Sequence, residues 1–352
     1  MPPARDARFF ARRTVRMPVA RTRPRGAAEP LLKVFGMDHV CLLNLPEIDE
    51  PDRLARLSYP QGRIDLVIDT DASNEIDDQL ALVHGLLSPE RLNLQAVYAA
   101  PYVNQRADTP AEGMERSRAE IHRIFEKMGQ RAEGRVFRGA TEILSDYYEP
   151  AESEAAEDLI RRAAARTESP LYVVCIAGIT NVASAILMAP EIIERIVLVW
   201  LAGHARFWPP AAEFNLGQDL MASRLIFDCG VPLINIPCNG VASHLIMTPS
   251  EMTQYVQGQG AIGDYLAEIF RGYHADQYGW SKVIWDMAAV AYLLDDTWVR
   301  THLVHSPVVT DGWTRGSDPT RHLIRSAWSV DRNAIFRDFF LKLAAAADSA
   351  KW

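Results

Sequence analysis

Hydrophobic and polar positions between residues 63 and 350 follow two alternating rhythms. Short apolar runs rich in β-branched residues occur at Arg63–Thr70 (RIDLVIDT), Leu94–Ala100, Leu171–Ala177 (LYVVCIA), Ile196–Leu201 and Val231–Ile236. Their length and composition predict buried strands. Stretches with helical spacing lie around them, at Asp77–Leu87, Glu112–Met128, Ala151–Arg166, Val182–Met188, Leu220–Phe227, Ser281–Leu294 and Val330–Ala347. Gly129 stands where the second of these should end. The polar, proline-punctuated segment Pro46–Pro60 reads as a lead-in rather than an element. Strands alternating with helices predict βαβ units and hence an α/β fold. Its mostly parallel central sheet should be open and Rossmann-like, with helices on both faces. No repeat or low-complexity linker interrupts residues 60–350, which read as a single domain. Ligands in such folds lie beyond the carboxyl ends of the strands. The loops after residues 70, 100, 177, 201 and 236 should therefore form the functional rim.

Composition adds mainly exclusions. Of 352 residues, 48% are hydrophobic and 23% charged, as in ordinary globular domains. No apolar run approaches the ~18 residues of a membrane-spanning helix. Cys41, Cys175, Cys229 and Cys238 are scattered without CxxC spacing, which suits free thiols in a reducing cytoplasm. Charge is unevenly spread. Residues 1–33 carry nine Arg or Lys against Asp6 and Glu29, a balance of +7; removing it from the chain's −8 leaves −15 for residues 34–352. Residues 1–45 accordingly read as a basic, disordered extension. The acidic body repels nucleic acid and suits a cation.

The sharpest chemical signal follows the first strand. Asp69, Asp71, Glu75, Asp77 and Asp78 place five carboxylates within ten residues. Crowded carboxylates resist ionisation unless a cation neutralises them. A cluster of oxygens without His or Cys favours Ca²⁺ or Mg²⁺. The plain alternative is a solvated acidic loop at a helix N-terminus.

Asp69-Thr-Asp71 with Asp77-Asp78 resembles the Asp-x-Asp-Pro-Gly-x-Asp-Asp loop of the nucleoside hydrolase family, with five residues between Asp71 and Asp77 in place of the usual three. Four further segments are similar to family motifs in the same order. They are Ala177-Gly-Ile-Thr180-Asn181, Ala212-Glu213-Phe-Asn215, Val231-Pro-Leu through Thr248-Pro-Ser-Glu251, and Trp285-Asp286-Met-Ala-Ala. The resemblance spans residues 63–345 and looks like a divergent branch of the inosine/uridine-preferring type. It implies hydrolysis of the N-glycosidic bond of a ribonucleoside or related N-riboside, dependent on Ca²⁺. By position it implies Asp71, Asp78 and Asp286 as side-chain metal ligands, with the Thr180 backbone carbonyl beside them. Asp71 would also take the proton of the attacking water. Asp77 would accept from a sugar hydroxyl, and Glu213 and Asn215 would hold the 5′ side of the ribose. The resemblance further implies a role in nucleoside salvage and a homodimer or homotetramer, with no nucleic-acid or membrane partner.

Trp285 departs from the family, which often has a histidine there to protonate the leaving base. An indole only donates its N–H, so Trp285 is expected to stack on the base instead. Phe207-Trp208-Pro209-Pro210 is a second departure; with Tyr98, Tyr102 and Trp285 it suggests an aromatic pocket. Two other readings compete. A haloacid dehalogenase-type phosphatase would use Asp69 as nucleophile and Asp295-Asp296 as its late acidic pair. A non-catalytic calcium- or nucleoside-binding homologue would keep the site and lose turnover.

Overall fold

Residues 45–349 are described by a computed structural model; the basic arm at residues 1–33 lies outside the described residues. Apolar strands first form β1 (Ile64–Thr70), β2 (Leu92–Ala99), β3 (Val136–Arg138), β4 (Leu171–Cys175), β5 (Ile196–Leu201) and β6 (Leu233–Ile236). Later come β7 (Ile246–Met247), β8 (Lys282–Val283), β9 (Val299–His305), β10 (Val308–Val309), β11 (Arg315–Gly316) and β12 (Leu323–Val330). Eight of them make one sheet in the order β3-β2-β1-β4-β5-β6-β12-β9. Every pair is parallel except β12 with the edge strand β9. The expected α/β architecture, a mostly parallel sheet with helices on both faces, is present.

Period-2 alternation divides the core between the two faces. Leu66, Ile68, Val97, Val174 and Val199 pack on one side, against the helices Asp77–Leu86, Pro110–Lys127, Met287–Leu294 and Arg332–Ser349. Val67, Tyr98, Val173, Cys175 and Trp200 pack on the other, against Glu154–Ala164, Thr180–Met188 and Leu220–Asp228. Cys175, Cys229 and Cys238 are buried free thiols among these layers. No helix among the described residues is long and apolar enough to cross a membrane.

Three sequence expectations need correction. The lead-in contains a helix, Glu50–Arg56, whose first turn is capped by the Asp49 side chain accepting from Asp52 N–H. The stretch expected to be helical from Ser281 begins its helix only at Met287. Before it, Lys282 and Val283 pair antiparallel with Met247 and Ile246, so Asp286 stands at a strand-to-helix junction. Finally, β9 and β12 carried no recognised strand signal. The burial pattern of β9 shows why: after Val299 its residues are half-exposed or exposed, so it lacks the apolar run of a central strand.

Candidate active site

The helix Asp77–Leu86 is buried along its whole length and packs against Met287–Leu294. Asp77 and Asp78 open the first of these helices, and Asp286 immediately precedes the second. Side-by-side packing brings the two N-termini, and so the three carboxylates, to one place at the rim. One oxygen from each of Asp77, Asp78 and Asp286 lies within 4.8 Å of the others. The partial positive charge of two helix N-termini favours anions there. Asp286 occupies the N-cap position of the second helix but makes no capping hydrogen bond through its side chain.

The carboxylates are differently engaged. Asp78 Oδ1 accepts from Thr70 Oγ1 at 2.5 Å. Asp77 accepts from the Trp285 N–H at 3.1 Å on Oδ2, and faces the Lys282 ammonium at 3.4 Å on Oδ1. Asp71 is buried against the trio, and its Oδ2 has no hydrogen-bond partner. Burial raises the pKa of all four. Asp78 is pushed up to about 8 by burial and the charge of Asp77. Asp71 is held well above its ordinary value by burial and by Asp78 and Asp77. Asp286 is raised by burial, then by Asp77, Asp78 and Asp71, and Asp77 by burial against the opposing charge of Lys282. A buried oxygen without a hydrogen-bond partner beside mutually repelling carboxylates is a donor set that fits a divalent ion with oxygen ligands.

Above this cluster opens a cavity of about 410 Å³. Its walls come from the rim loops: Asp71–Asp78 after β1, Asn104 and Gln105 after β2, His204 and Ala212–Asn215 after β5, and Cys238 and Asn239 after β6, with Tyr273, Trp285 and Asp286 closing it. Asp71, Asp77, Asp78, Glu213, Asn215, Trp285 and Asp286 all line this one space. Thr180 is not among the lining residues; it is buried, and its hydroxyl donates to Asp219 Oδ2 at 2.9 Å. The three carboxylates that meet within 4.8 Å include Asp77, expected at the sugar, and do not include Asp71.

Glu213 and Asn215 are held rigidly. The Glu213 carboxylate accepts from the N–H groups of Gly203, Asn215 and Leu216 at 2.9–3.1 Å, while Asn215 Nδ2 donates to Leu201 O at 3.0 Å. The aromatic expectation is revised. Tyr98 points to the opposite face of the sheet and donates to Asp158 at 2.9 Å, because it alternates with Val97. Phe207 is 75% exposed and, with Trp208 and Tyr102, lies outside the lining; Phe214, Tyr273 and Trp285 supply the aromatic wall. Asp69 faces away as well. It is fully buried in β1, accepts from Asn181 Nδ2 at 2.9 Å and does not line the cavity. Asp295 caps Thr297 at the far end of the helix that Asp286 begins. The phosphatase reading thus has neither its nucleophile nor its acidic pair at the cavity.

Sequence reasoning missed Asn74, Asn104, His204, Tyr273 and Lys282. The first three sit in loops already marked as rim. Among the described histidines lining the cavity is His204, whose ring Nε2 lies 2.9 Å from Ala212 O.

Residues 66–337 match the sequence profile described as inosine-uridine preferring nucleoside hydrolase. The chain is 27% identical over 276 residues to the probable uridine nucleosidase 2 of Arabidopsis thaliana, covering 71% of this chain and 84% of that protein. It is 29% identical over 147 residues to the pyrimidine-specific ribonucleoside hydrolase RihA of Klebsiella pneumoniae, 40% of this chain and 47% of that one. Among solved structures, a purine-preferring ribonucleoside hydrolase from Gardnerella vaginalis superposes with a TM-score of 0.63 at 21% identity, covering 81% of this chain and 99% of that chain. A plant nucleoside hydrolase, the PpNRh1 enzyme, gives the same TM-score and identity over 81% of this chain and all of that one.

Proposed function

Since this chain belongs to the inosine-uridine preferring nucleoside hydrolase family, we propose that its acidic cavity hydrolyses the N-glycosidic bond of a ribonucleoside or related N-riboside with Ca²⁺ bound. The observation that carries this reading is the meeting of carboxylates from two distant helix starts at the base of one cavity. Asp71, Asp78 and Asp286 would hold the ion with the Thr180 carbonyl. Asp77 is the less available ligand, since both its oxygens already face N–H donors, and its remaining lone pairs suit a sugar hydroxyl. A bound divalent ion supplies positive charge that orients the sugar diol and makes nearby water more acidic.

The chain's own residues supply the rest. Asp71, whose Oδ2 has no hydrogen-bond partner in the protein, accepts the proton of the attacking water as general base. Glu213 and Asn215, fixed by their backbone hydrogen bonds, hold the 5′ side of the ribose so that the ring is presented for attack. Bond cleavage then passes through an oxocarbenium-like state, as in glycoside hydrolysis generally. Trp285 and Phe214 flank the departing base. The buried free thiols suit a reducing, cytoplasmic setting, and a homodimer or homotetramer remains part of the proposal.

Asp71→Asn should lower the rate of ribose release from a panel of ribonucleosides by at least ~10² while the melting temperature stays near wild type. Full activity in that variant would remove Asp71 from the mechanism. Tight nucleoside binding without turnover in the wild type would select the non-catalytic homologue.

A further inference from the structure

Lys282 is a buried ammonium beside the acidic cluster, on the short strand β8 ahead of Asp286. All three of its N–H donors are used. They reach Glu75, Asp77 Oδ1 at 3.4 Å and the Val283 carbonyl at 2.9 Å. The ammonium also sits 5.3 Å from the centre of the Tyr273 ring. Glu75 comes from the five residues between Asp71 and Asp77, so this ion pair ties the loop after β1 to the segment that delivers Asp286.

A charge so placed has a consequence for whatever cation the carboxylates receive. Glu75 and Asp77 are in direct contact with the Lys282 ammonium, and Asp77 shares its cluster with Asp78 and Asp286. Once a divalent ion holds these carboxylates ionised, Lys282 is a positive charge beside it. Arg106, stacked over the outer side of Tyr273 at 5.5 Å, is exposed to solvent and screened by it. Like charges within a few ångströms in a partly buried site oppose each other strongly. The Lys282 ammonium therefore competes with a divalent ion for the cluster, and Glu75 offsets that competition. We propose that Lys282 is a built-in counter-cation, a positioning residue that holds Asp77 in the absence of metal and, balanced by Glu75, sets the affinity of the cluster for a divalent ion. The inference rests on the cation-binding reading of the site.

The test is calcium binding, measured by calorimetry on metal-stripped full-length protein, together with melting in the absence of cation. Lys282→Met should bind calcium at least ~10-fold more tightly than wild type and melt at a lower temperature when cation-free. Glu75→Gln should bind at least ~10-fold more weakly. The double variant should return close to wild-type affinity, and Lys282→Arg should keep it. A purely structural ion pair predicts a different pattern, with Lys282→Met weakened along with Glu75→Gln and the double variant no better. That result, or unchanged affinity in both, overturns the proposal while leaving the metal site standing. If Lys282→Met does not fold without cation, the variant purified in calcium and titrated with a calcium chelator gives the same comparison. Tighter retention of calcium than wild type supports the proposal, and equal or weaker retention overturns it. No calcium binding by the wild type would overturn the proposal and the metal reading together.

Discussion

Asp69 and Asp78 stand nine positions apart in one acidic segment, yet burial serves different ends in the two. Asp69 lies under β1 with its pKa pushed up to about 7 by desolvation, and it accepts from Asn181 and approaches the Cys175 thiol. Asp78, at about 8, adds repulsion from Asp77 to desolvation. An acid whose folded pKa lies above its unfolded value near 4 binds its proton more tightly in the folded chain. Between about pH 4 and 8 the unfolded chain then holds fewer protons, so stability falls as pH rises. The cation-free protein should accordingly melt at a lower temperature at pH 8 than at pH 5, and saturating calcium should flatten that slope. Equal melting temperatures at both pH values under chelation would contradict the burial of these carboxylates. At this scale the sequence disclosed the acids and not their partner. Five carboxylates in one loop are conspicuous, whereas Lys282 meets Glu75 across 207 positions, and no local pattern marks a lone lysine as buried.

The two helices that begin at Asp77 and Met287 do the assembling, and the loops around them set the cavity wall. One close contact between elements is decisive. Gly113, in the helix Pro110–Lys127, lies so near the loop after β2 that an added Cβ would meet Tyr102 O at 2.1 Å and Tyr102 N at 2.7 Å. These are backbone atoms, which cannot swing aside. Gly113→Ala should therefore displace the loop that carries Asn104 and Gln105, costing about 1–3 kcal/mol and raising KM more than it lowers kcat. Wild-type melting and kinetics would show that the loop tolerates the shift. The helix boundaries here were largely legible: Thr109 caps this helix with its hydroxyl, and Gly129 follows it with φ of +64°. The helix Gly260–Tyr273 was not foreseen, since Gly260, Gly263 and Gly272 weaken its intrinsic preference. The junction at Lys282–Asp286 was read as helix because apolar residues there suit either rhythm.

At the level of the whole molecule, the rim followed from topology alone. Each loop after β1, β2, β5 and β6 supplies lining residues to the same cavity, as the rule for open parallel sheets requires. The mostly parallel sheet, though not its strand order, was legible because central strands buried on both faces are continuously apolar. The polar edge strand β9 escaped notice for the converse reason. What pattern could not supply was the division of labour inside the cluster, because it depends on which lone pairs are already taken: both oxygens of Asp77 face Lys282 and the Trp285 N–H, Asp78 accepts from Thr70, and Oδ2 of Asp71 has no partner. On the proposed reading, that arrangement makes a cation the shared requirement of binding and catalysis. The most direct measurement is ribose release by exhaustively chelated enzyme, followed by stepwise return of calcium. Turnover should vanish on chelation and recover with one calcium per chain, in wild type and not in Asp286→Asn. Undiminished turnover after complete removal of divalent ions would contradict the account.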